Sequence, residues 1–172
     1  MTTTIRQCTS DDARLIRSLG MTTFRDTFAA DNSQENMEDY LRHYFSPELV
    51  KSKLSEPESV FLLASVDGTP AAYMQLNTWK AQTEQFGDTS MEIERLYVLS
   101  DFKHRGLGTL LVNQAFKRAR TQNLNKIWLV VWEHNEPAQR FYQAMGFKRT
   151  GEHTFTLGEE LQTDWIMTAA VS

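Results

Sequence analysis

The spacing of the apolar residues changes from a helical to a strand pattern between Leu54 and Val60. Before this point, apolar residues such as Leu15 and Leu19 recur three or four positions apart, which predicts amphipathic helices. After it, nearly continuous apolar runs such as Lys126–Trp132 alternate with helical stretches, and such a run is typical of a strand covered on both faces. Strand–helix–strand units beside an antiparallel hairpin predict a mixed α/β sheet.

The predicted elements follow one another without a linker or an internal repeat. Strands are predicted at Ile5–Cys8, Val60–Ala64, Ala71–Leu76, Ile93–Val98, Lys126–Trp132, Phe147–Arg149 and Leu161–Met167. Helices are predicted over Leu15–Phe28, Met37–Phe45 and Pro47–Leu54, after Gly108, and from Asn135 to Gly146. The Asp67-Gly68 pair predicts a hairpin turn, and the polar stretch 79–90 predicts a loop.

Composition narrows the class of protein. The chain has 172 residues, of which 41% are hydrophobic, and this favours one domain over residues 1–172. A net charge of −4 argues against a nucleic-acid partner, and the lack of a run of ~20 apolar residues argues against a membrane span. The N-terminal residues do not have the pattern of a secretory signal, and Cys8 is alone, so we expect a reduced, cytoplasmic protein. The histidines lack metal-ligand spacing, and no metal site is predicted.

A basic, glycine-containing loop, Lys103–Thr109, joins a predicted strand to the next helix. The unpaired N–H groups at a helix start bind anions, and Gly106 and Gly108 allow a phosphate to approach the backbone. Asn113 stands where a dinucleotide fingerprint would have its third glycine, so that motif is excluded. Three basic side chains add donors for the same anion: Lys103, His104 and Arg105. The loop therefore predicts a pyrophosphate site, and the alternative is an ordinary strand–helix turn.

Three segments resemble the GNAT superfamily, the Gcn5-related N-acetyltransferases. Asn135–Phe147 resembles the family's N-x-x-A-x-x-F-Y-x-x-x-G-F ending, and Ile93–Val98 resembles its fourth strand. Lys103–Thr109 resembles its Gln/Arg-x-x-Gly-x-Gly/Ala acetyl-CoA loop, with Lys103 in place of Gln or Arg. The resemblance implies an α/β domain in which about four to five helices flank a mixed, mostly antiparallel sheet of about seven strands with splayed central strands.

The resemblance also implies acetyl-CoA as the cosubstrate and a place for each of its parts. The pantetheine arm would lie along the backbone of Leu96, Tyr97 and Val98. The pyrophosphate would lie on Lys103, His104, Arg105, Gly106, Leu107, Gly108 and Thr109. Asn135 would hydrogen-bond the cosubstrate where the fourth and fifth strands separate, and Ala138 and Phe141 would line its wall. Tyr142 would protonate the departing CoA thiolate, and the alternative for Tyr142 is a core tyrosine.

The implied reaction, direct attack of a primary amine on the thioester, needs a proton acceptor because alkyl amines are mostly protonated at neutral pH. Glu92 and Glu94 are two positions apart on one predicted strand, so both face the same side. We favour Glu94 as the base or relay because it is nearer the bulge expected in this strand. The alternative is that both are ion-pairing surface residues.

The acceptor is constrained by charge and by a less specific resemblance. Acidic residues outnumber basic ones between Thr22 and Val60, and part of this segment resembles the polyamine-type (PaiA-like) branch. We therefore expect a polyamine or another small cationic amine, bound between the early helices, the 79–90 loop and the last two strands. Candidate contacts are Asp26, Glu38 and Tyr40. A peptide or protein amine, a non-catalytic CoA-binding regulatory module and a homodimer remain open alternatives.

Overall fold

Seven strands form one sheet that begins near the N-terminus and ends near the C-terminus. The computed structural model describes the backbone of residues 1–172 and every side chain except those of Phe155 and Leu157. The strands are β1 Thr3–Gln7, β2 Ser59–Val66, β3 Thr69–Thr78, β4 Ser90–Val98, β5 Lys126–Trp132, β6 Lys148–Leu157 and β7 Glu160–Ala170. The α-helices in this described chain are α1 Ala13–Phe28, α2 Gln34–Tyr44, α3 Pro47–Ser55, α4 Leu107–Thr121 and α5 Glu136–Ala144.

The strand order in the sheet is β1-β2-β3-β4-β5-β7-β6. Neighbouring strands are antiparallel except β4 and β5, which are parallel. The predicted mixed, mostly antiparallel α/β sheet is therefore confirmed. The last two strands are longer than predicted, because they form a hairpin that pairs as far as Leu157 and Glu160. Polar residues such as Thr154 continue β6 at the sheet edge, where an apolar run is not required.

The helices cover the two faces of the sheet and give it two hydrophobic cores. On one face, Leu111 of α4 and Tyr142 of α5 pack with β-sheet residues such as Leu129. On the other face, α1, α2 and α3 pack against Phe61, Tyr73 and neighbouring residues. None of the helices in the described chain is long and apolar enough to cross a membrane. Residues that face opposite sides of a strand can therefore reach two separate environments.

The centre of the sheet is interrupted in two ways. The parallel pairing of β4 with β5 ends at Ile93 and Leu129, so the two strands separate beyond these residues. In the β3–β4 pairing, Gln75 lies opposite Arg95 and Leu76 lies opposite Ile93, so Glu94 is the extra residue of a β-bulge. The predicted splayed strands are thus confirmed. The bulge places Glu94 next to the point where β4 and β5 separate.

Candidate functional site

The loop before α4 has the backbone geometry of an anion-binding turn. Gly106 is the N-cap of α4 and has a φ of 80°, a left-handed conformation that glycine adopts without a Cβ clash. His104, two positions earlier, also has a positive φ of 64°. Lys103, His104 and Gly106 are exposed, so their donors are accessible to a ligand at the helix start. The N–H groups of the first helical turn have no partner within the helix and point toward the same place.

A cleft of about 600 Å³ begins at this loop and continues to the end of β4; we call it the α4 cleft. It is lined by residues that the sequence singled out: Leu96, Tyr97, Val98, Lys103, His104, Gly106, Leu107, Gly108, Thr109, Asn135, Ala138, Phe141 and Tyr142. Thr27, Phe102, Pro137 and Arg140 also line it and were not predicted. Arg105 is not part of this lining, because its guanidinium lies over the Phe102 ring at 5.2 Å from the centroid.

The wall of the α4 cleft offers an unpaired strand edge. Leu96, Tyr97 and Val98 pair with β3 on one side, and β5 has already left β4 at Ile93. Their half-buried backbone therefore faces the cleft on the β5 side. An edge of this kind pairs with any extended group that carries amide donors and acceptors.

The first turn of α5, together with Phe141 and Tyr142 farther along this helix, forms the opposite wall of the α4 cleft. Asn135 is the N-cap of α5, where its side-chain oxygen accepts a hydrogen bond from the Ala138 N–H at 3.3 Å. Phe141 packs against Gly108, since a Cβ on that glycine would lie 3.1 Å from the Phe141 ring. Tyr142 is 8% exposed, and burial raises its pKa well above the ordinary value. Tyr142 is therefore a neutral phenol beside the cleft.

A second cavity of about 360 Å³ lies across the gap between β4 and β5; we call it the acidic cavity. It lies where α1 and α2, the 79–90 loop and the last two strands meet. Tyr97 lines both the α4 cleft and the acidic cavity, so the two are neighbours on either side of its ring. The aromatic part of its wall comprises Phe24, Phe28, Tyr40, Tyr44, Tyr97 and Trp132. Its charged part comprises Lys53, Glu84, Glu92, Glu94, Arg95, His153 and Asp164.

Glu94 enters the acidic cavity with both carboxylate oxygens occupied. Oε1 accepts hydrogen bonds from Asn77 Nδ2 at 2.9 Å and from Gln75 Nε2 at 3.3 Å. Oε2 lies 3.2 Å from Lys53 Nζ and 3.6 Å from Arg95 Nε. Burial raises the pKa of Glu94, but the two cations outweigh it and the net pKa is lowered. Glu94 is thus an ionised carboxylate that balances two positive charges.

Glu92 is more deeply placed than Glu94. It is 3% exposed and accepts hydrogen bonds from Thr83 N–H at 2.7 Å and from Asn77 Nδ2 at 3.0 Å. Burial raises its pKa, although these hydrogen bonds act in the opposite direction. The bond with Thr83 ties the 79–90 loop to β4, which gives Glu92 a structural role.

Sequence reasoning missed Asp164, His153 and Glu84, which meet at the end of the acidic cavity. His153 Nε2 lies 3.1 Å from Glu84 Oε1, and His153 Nδ1 lies 3.8 Å from Asp164 Oδ2. Burial raises the pKa of Asp164 to about 6, although His153 lowers it. These residues come from a loop, β6 and β7, so no local motif connects them. The one available signal was an acidic residue directly before the apolar residues 165–167 of the final strand.

The expected acceptor contacts are only partly brought together. Tyr40 lines the acidic cavity, where its ring stacks on Phe24 and its hydroxyl accepts a hydrogen bond from Arg95 at 3.3 Å. Asp26 instead accepts a hydrogen bond from Ser100 Oγ at 3.2 Å, and Glu38 accepts one from Gln34 on the exposed face of α2. Asp26 and Glu38 are therefore outside the cavity lining, because their helices turn them toward solvent. Among the described residues, no group of three or more His, Cys, Asp or Glu is arranged to hold a metal ion.

Comparison with known proteins identifies the family to which this chain is similar. The sequence profile of the acetyltransferase (GNAT) family matches residues 21–147. The chain belongs to the GNAT acetyltransferase family. An uncharacterized N-acetyltransferase of Lactobacillus delbrueckii subsp. lactis is 37% identical over 97% of this chain and 96% of its own length. The resemblance seen in the three motifs, and the expectation of an N-acetyltransferase, are thereby confirmed.

More distant relatives share the fold of this GNAT chain. The spermidine N(1)-acetyltransferase of Thermoplasma acidophilum is 24% identical over 86% of this chain and 89% of its own length. The crystal structure of the PaiA N-acetyltransferase of T. acidophilum, in complex with coenzyme A, superposes with a TM-score of 0.82 at 24% identity and covers 99% of both chains. The ribosomal-protein-S18-alanine N-acetyltransferase of Escherichia coli superposes at 0.72 with 15% identity, over 99% of this chain and 95% of that one.

Proposed function

We propose that this chain transfers the acetyl group of acetyl-CoA to a primary amine of a small cationic molecule. The observation that carries the proposal is the meeting of the α4 cleft and the acidic cavity at Tyr97, where β4 and β5 separate. Such a gap lets a thioester that enters from one face of the sheet meet an amine that enters from the other. Holding both reactants in this geometry supplies much of a bimolecular reaction's rate enhancement.

The α4 cleft fits coenzyme A part by part. The helix start at Gly106, with Lys103 and His104, matches the charge of a pyrophosphate. The open β4 edge from Leu96 to Val98 matches the amides of a pantetheine arm. A side chain at Gly108 would meet the Phe141 ring, so this glycine lets Phe141 pack closely against the start of α4. The bound coenzyme supplies the acetyl thioester, and these residues bind and orient it.

Tyr142 is the proposed proton donor. Its hydroxyl is a buried phenol at the cleft wall, and burial raises its pKa, so it carries a proton to donate near neutral pH. When the carbon–sulfur bond breaks, the CoA thiolate takes that proton, and the phenolate regains one from the new amide nitrogen. The backbone N–H groups near Val98 stabilise the negative charge that develops on the carbonyl oxygen.

The acidic cavity supports a cationic acceptor. Four carboxylates line it against two permanent cations, Lys53 and Arg95, and Glu94 is already paired with both. The remaining negative charge favours an ammonium group, and the aromatic wall favours its alkyl chain. The similarity to a spermidine acetyltransferase supports the same class of substrate, so spermidine is the first acceptor to test. The sequence-based prediction of Glu94 as the base or relay is weakened by its pairing with Lys53 and Arg95, because the two cations stabilise its charged form.

Thiol release in the presence of acetyl-CoA and a panel of amines tests this function. The panel contains spermidine, putrescine, an aminoglycoside and a peptide with a free N-terminus, and mass spectrometry identifies each acetylated product. We expect fastest turnover with spermidine or putrescine. Fastest turnover with the peptide would move the acceptor class to protein amines. Tight CoA binding without any acetylated product would instead support a regulatory CoA-binding module and overturn the proposed function.

A further inference from the structure

Asp164 occupies a distinctive place at the end of the acidic cavity. In the sheet register it lies opposite Trp132 of β5 and opposite His153 of β6, so all three side chains share one face. The residue is 7% exposed, yet its carboxylate lines the cavity. It is thus a buried acid with an open path to an acceptor.

The partner of Asp164 is oriented by another carboxylate. His153 Nε2 lies 3.1 Å from Glu84 Oε1, so the Glu84 carboxylate holds one ring nitrogen of His153. The other ring nitrogen, Nδ1, is buried without a hydrogen-bond partner among the described residues and faces Asp164 at 3.8 Å. An ammonium group that enters this end of the cavity meets the Asp164 carboxylate beside the His153 ring.

The two glutamates on β4 are placed differently. Glu94 holds Lys53 and Arg95, and both its oxygens are engaged. Glu92 is engaged by Thr83 and Asn77. Glu94 is a weak proton acceptor because the two cations stabilise its charged form, and the oxygens of Glu92 are already occupied by hydrogen bonds from Thr83 and Asn77. Asp164, at the other end of the acidic cavity, is the carboxylate best placed to accept a proton.

Charges from every neighbouring element act on Asp164. His153 of β6 faces it directly, and Glu133, just after β5, adds negative charge. Tyr97 of β4 lines both the α4 cleft and the acidic cavity, and the negative charge of Asp164 helps to raise the pKa of Tyr97. The other titratable groups that line the same cavity are Tyr40, Tyr44, Lys53, Glu84, Glu92, Glu94 and Arg95. Burial is the largest influence and raises the pKa of Asp164 to about 6, a value suited to a general base near neutral pH.

We propose that the Asp164–His153 pair accepts the proton of the acceptor amine before acetyl transfer, with Asp164 as the catalytic base and Glu84 as a positioning residue. This inference rests on the proposed function. The entering ammonium group donates one proton to the Asp164 carboxylate, while the His153 ring, held by Glu84, keeps that carboxylate in place. The freed lone pair forms the carbon–nitrogen bond while the carbon–sulfur bond breaks. Asp164 then releases its proton to solvent through the cavity mouth.

The test compares the pH dependence of kcat/KM for spermidine in the wild type, Asp164→Asn and Glu94→Gln. The wild type should lose activity below a limb near pH 6, where Asp164 becomes protonated. Asp164→Asn should lose ~10²-fold at neutral pH and then gain tenfold per pH unit, as the amine deprotonates in solution. Glu94→Gln should keep the wild-type limb. A limb that persists in Asp164→Asn and disappears in Glu94→Gln overturns the inference.

A second acceptor separates proton removal from a structural effect. A primary amine whose own pKa lies below the assay pH, such as trifluoroethylamine, is already neutral, so Asp164→Asn should act on it within about threefold of wild type. An equally large loss with both amines overturns the inference. His153→Gln provides an independent variant: because His153 lowers the pKa of Asp164, its removal should move the acid limb to higher pH. An unmoved limb in this variant counts against the pair.

Controls distinguish a failure of the proposed function from a failure of the inference about Asp164. Glu48→Gln, an exposed carboxyl-to-amide change on α3, should behave as wild type in every assay. If the wild type acetylates no amine, the proposed function fails and the inference fails with it. If the wild type acetylates spermidine and the Asp164→Asn profile is unchanged, the inference alone fails.

Discussion

Placing a negative charge at Gly106 should weaken coenzyme A binding by repulsion rather than by steric conflict. An added Cβ at this position has no heavy atom within 4 Å, so a longer side chain has room. Its φ of 80° costs a non-glycine residue ~1–2 kcal/mol whatever its charge. The matched pair Gly106→Glu and Gly106→Gln therefore shares size and backbone strain and differs in charge.

The magnitude follows from Coulomb's law. Two unit charges ~6 Å apart interact by ~0.7 kcal/mol in water and by ~3 kcal/mol at an effective dielectric constant of ~20. A carboxylate beside the pyrophosphate should thus raise the Kd of CoA by about threefold to about a hundredfold relative to the glutamine variant. Because exposed charges are screened by salt, the difference between the two variants should shrink at high ionic strength.

Calorimetric titration of CoA into both variants, at low and high salt, measures this difference. Circular dichroism melts give the stability cost that the two variants share. Equal Kd values for the glutamate and glutamine variants would refute the placement of the pyrophosphate at the start of α4. A difference that does not respond to salt would show that a steric effect, and not charge, weakens binding.

Three further predictions concern other parts of the molecule. Tyr142→Phe should lower kcat about 10²-fold and leave the Kd of CoA within about twofold, as measured by thiol release and titration; an unchanged kcat would make Tyr142 a core residue. Glu94→Gln leaves Lys53 and Arg95 with one carboxylate fewer, so urea unfolding should show a loss of ~3 kcal/mol, and wild-type stability would contradict this charge balance. Burial raises the pKa of Cys8 to about 11, so iodoacetamide at neutral pH should label it only after unfolding. Labelling of the folded protein would show that Cys8 is accessible.

The parts of the site that depend on local sequence could be predicted. Gly106 and the basic residues before it mark a strand-to-helix turn because a helix start always presents unpaired N–H groups. Asn135 was expected to cap α5, and its side chain does so. The resemblance to the GNAT superfamily, rather than spacing, implied a place for Tyr142 near the sulfur, and Tyr142 lines the cleft. Each of these features is fixed within a few residues of the chain.

The parts that depend on strand register were not predicted. The engagement of Glu94 with Lys53 needs the packing of α3 against β4, which no spacing within β4 shows. Asp164 and His153 face each other only because β6 and β7 form a hairpin that extends beyond its apolar residues. Non-local pairing therefore decides which acid in the cavity is held by cations and which is not.

The most direct test is the structure of the protein with a bisubstrate analogue in which the CoA sulfur is joined through an acetyl bridge to spermidine. The pyrophosphate should lie against the first turn of α4, the sulfur beside Tyr142 and the pantetheine along Leu96–Val98. The spermidine chain should pass Tyr97 into the acidic cavity, with an amine near Asp164. A nucleotide bound away from α4, or a spermidine chain that stays on the α4 side of the sheet, would contradict this account.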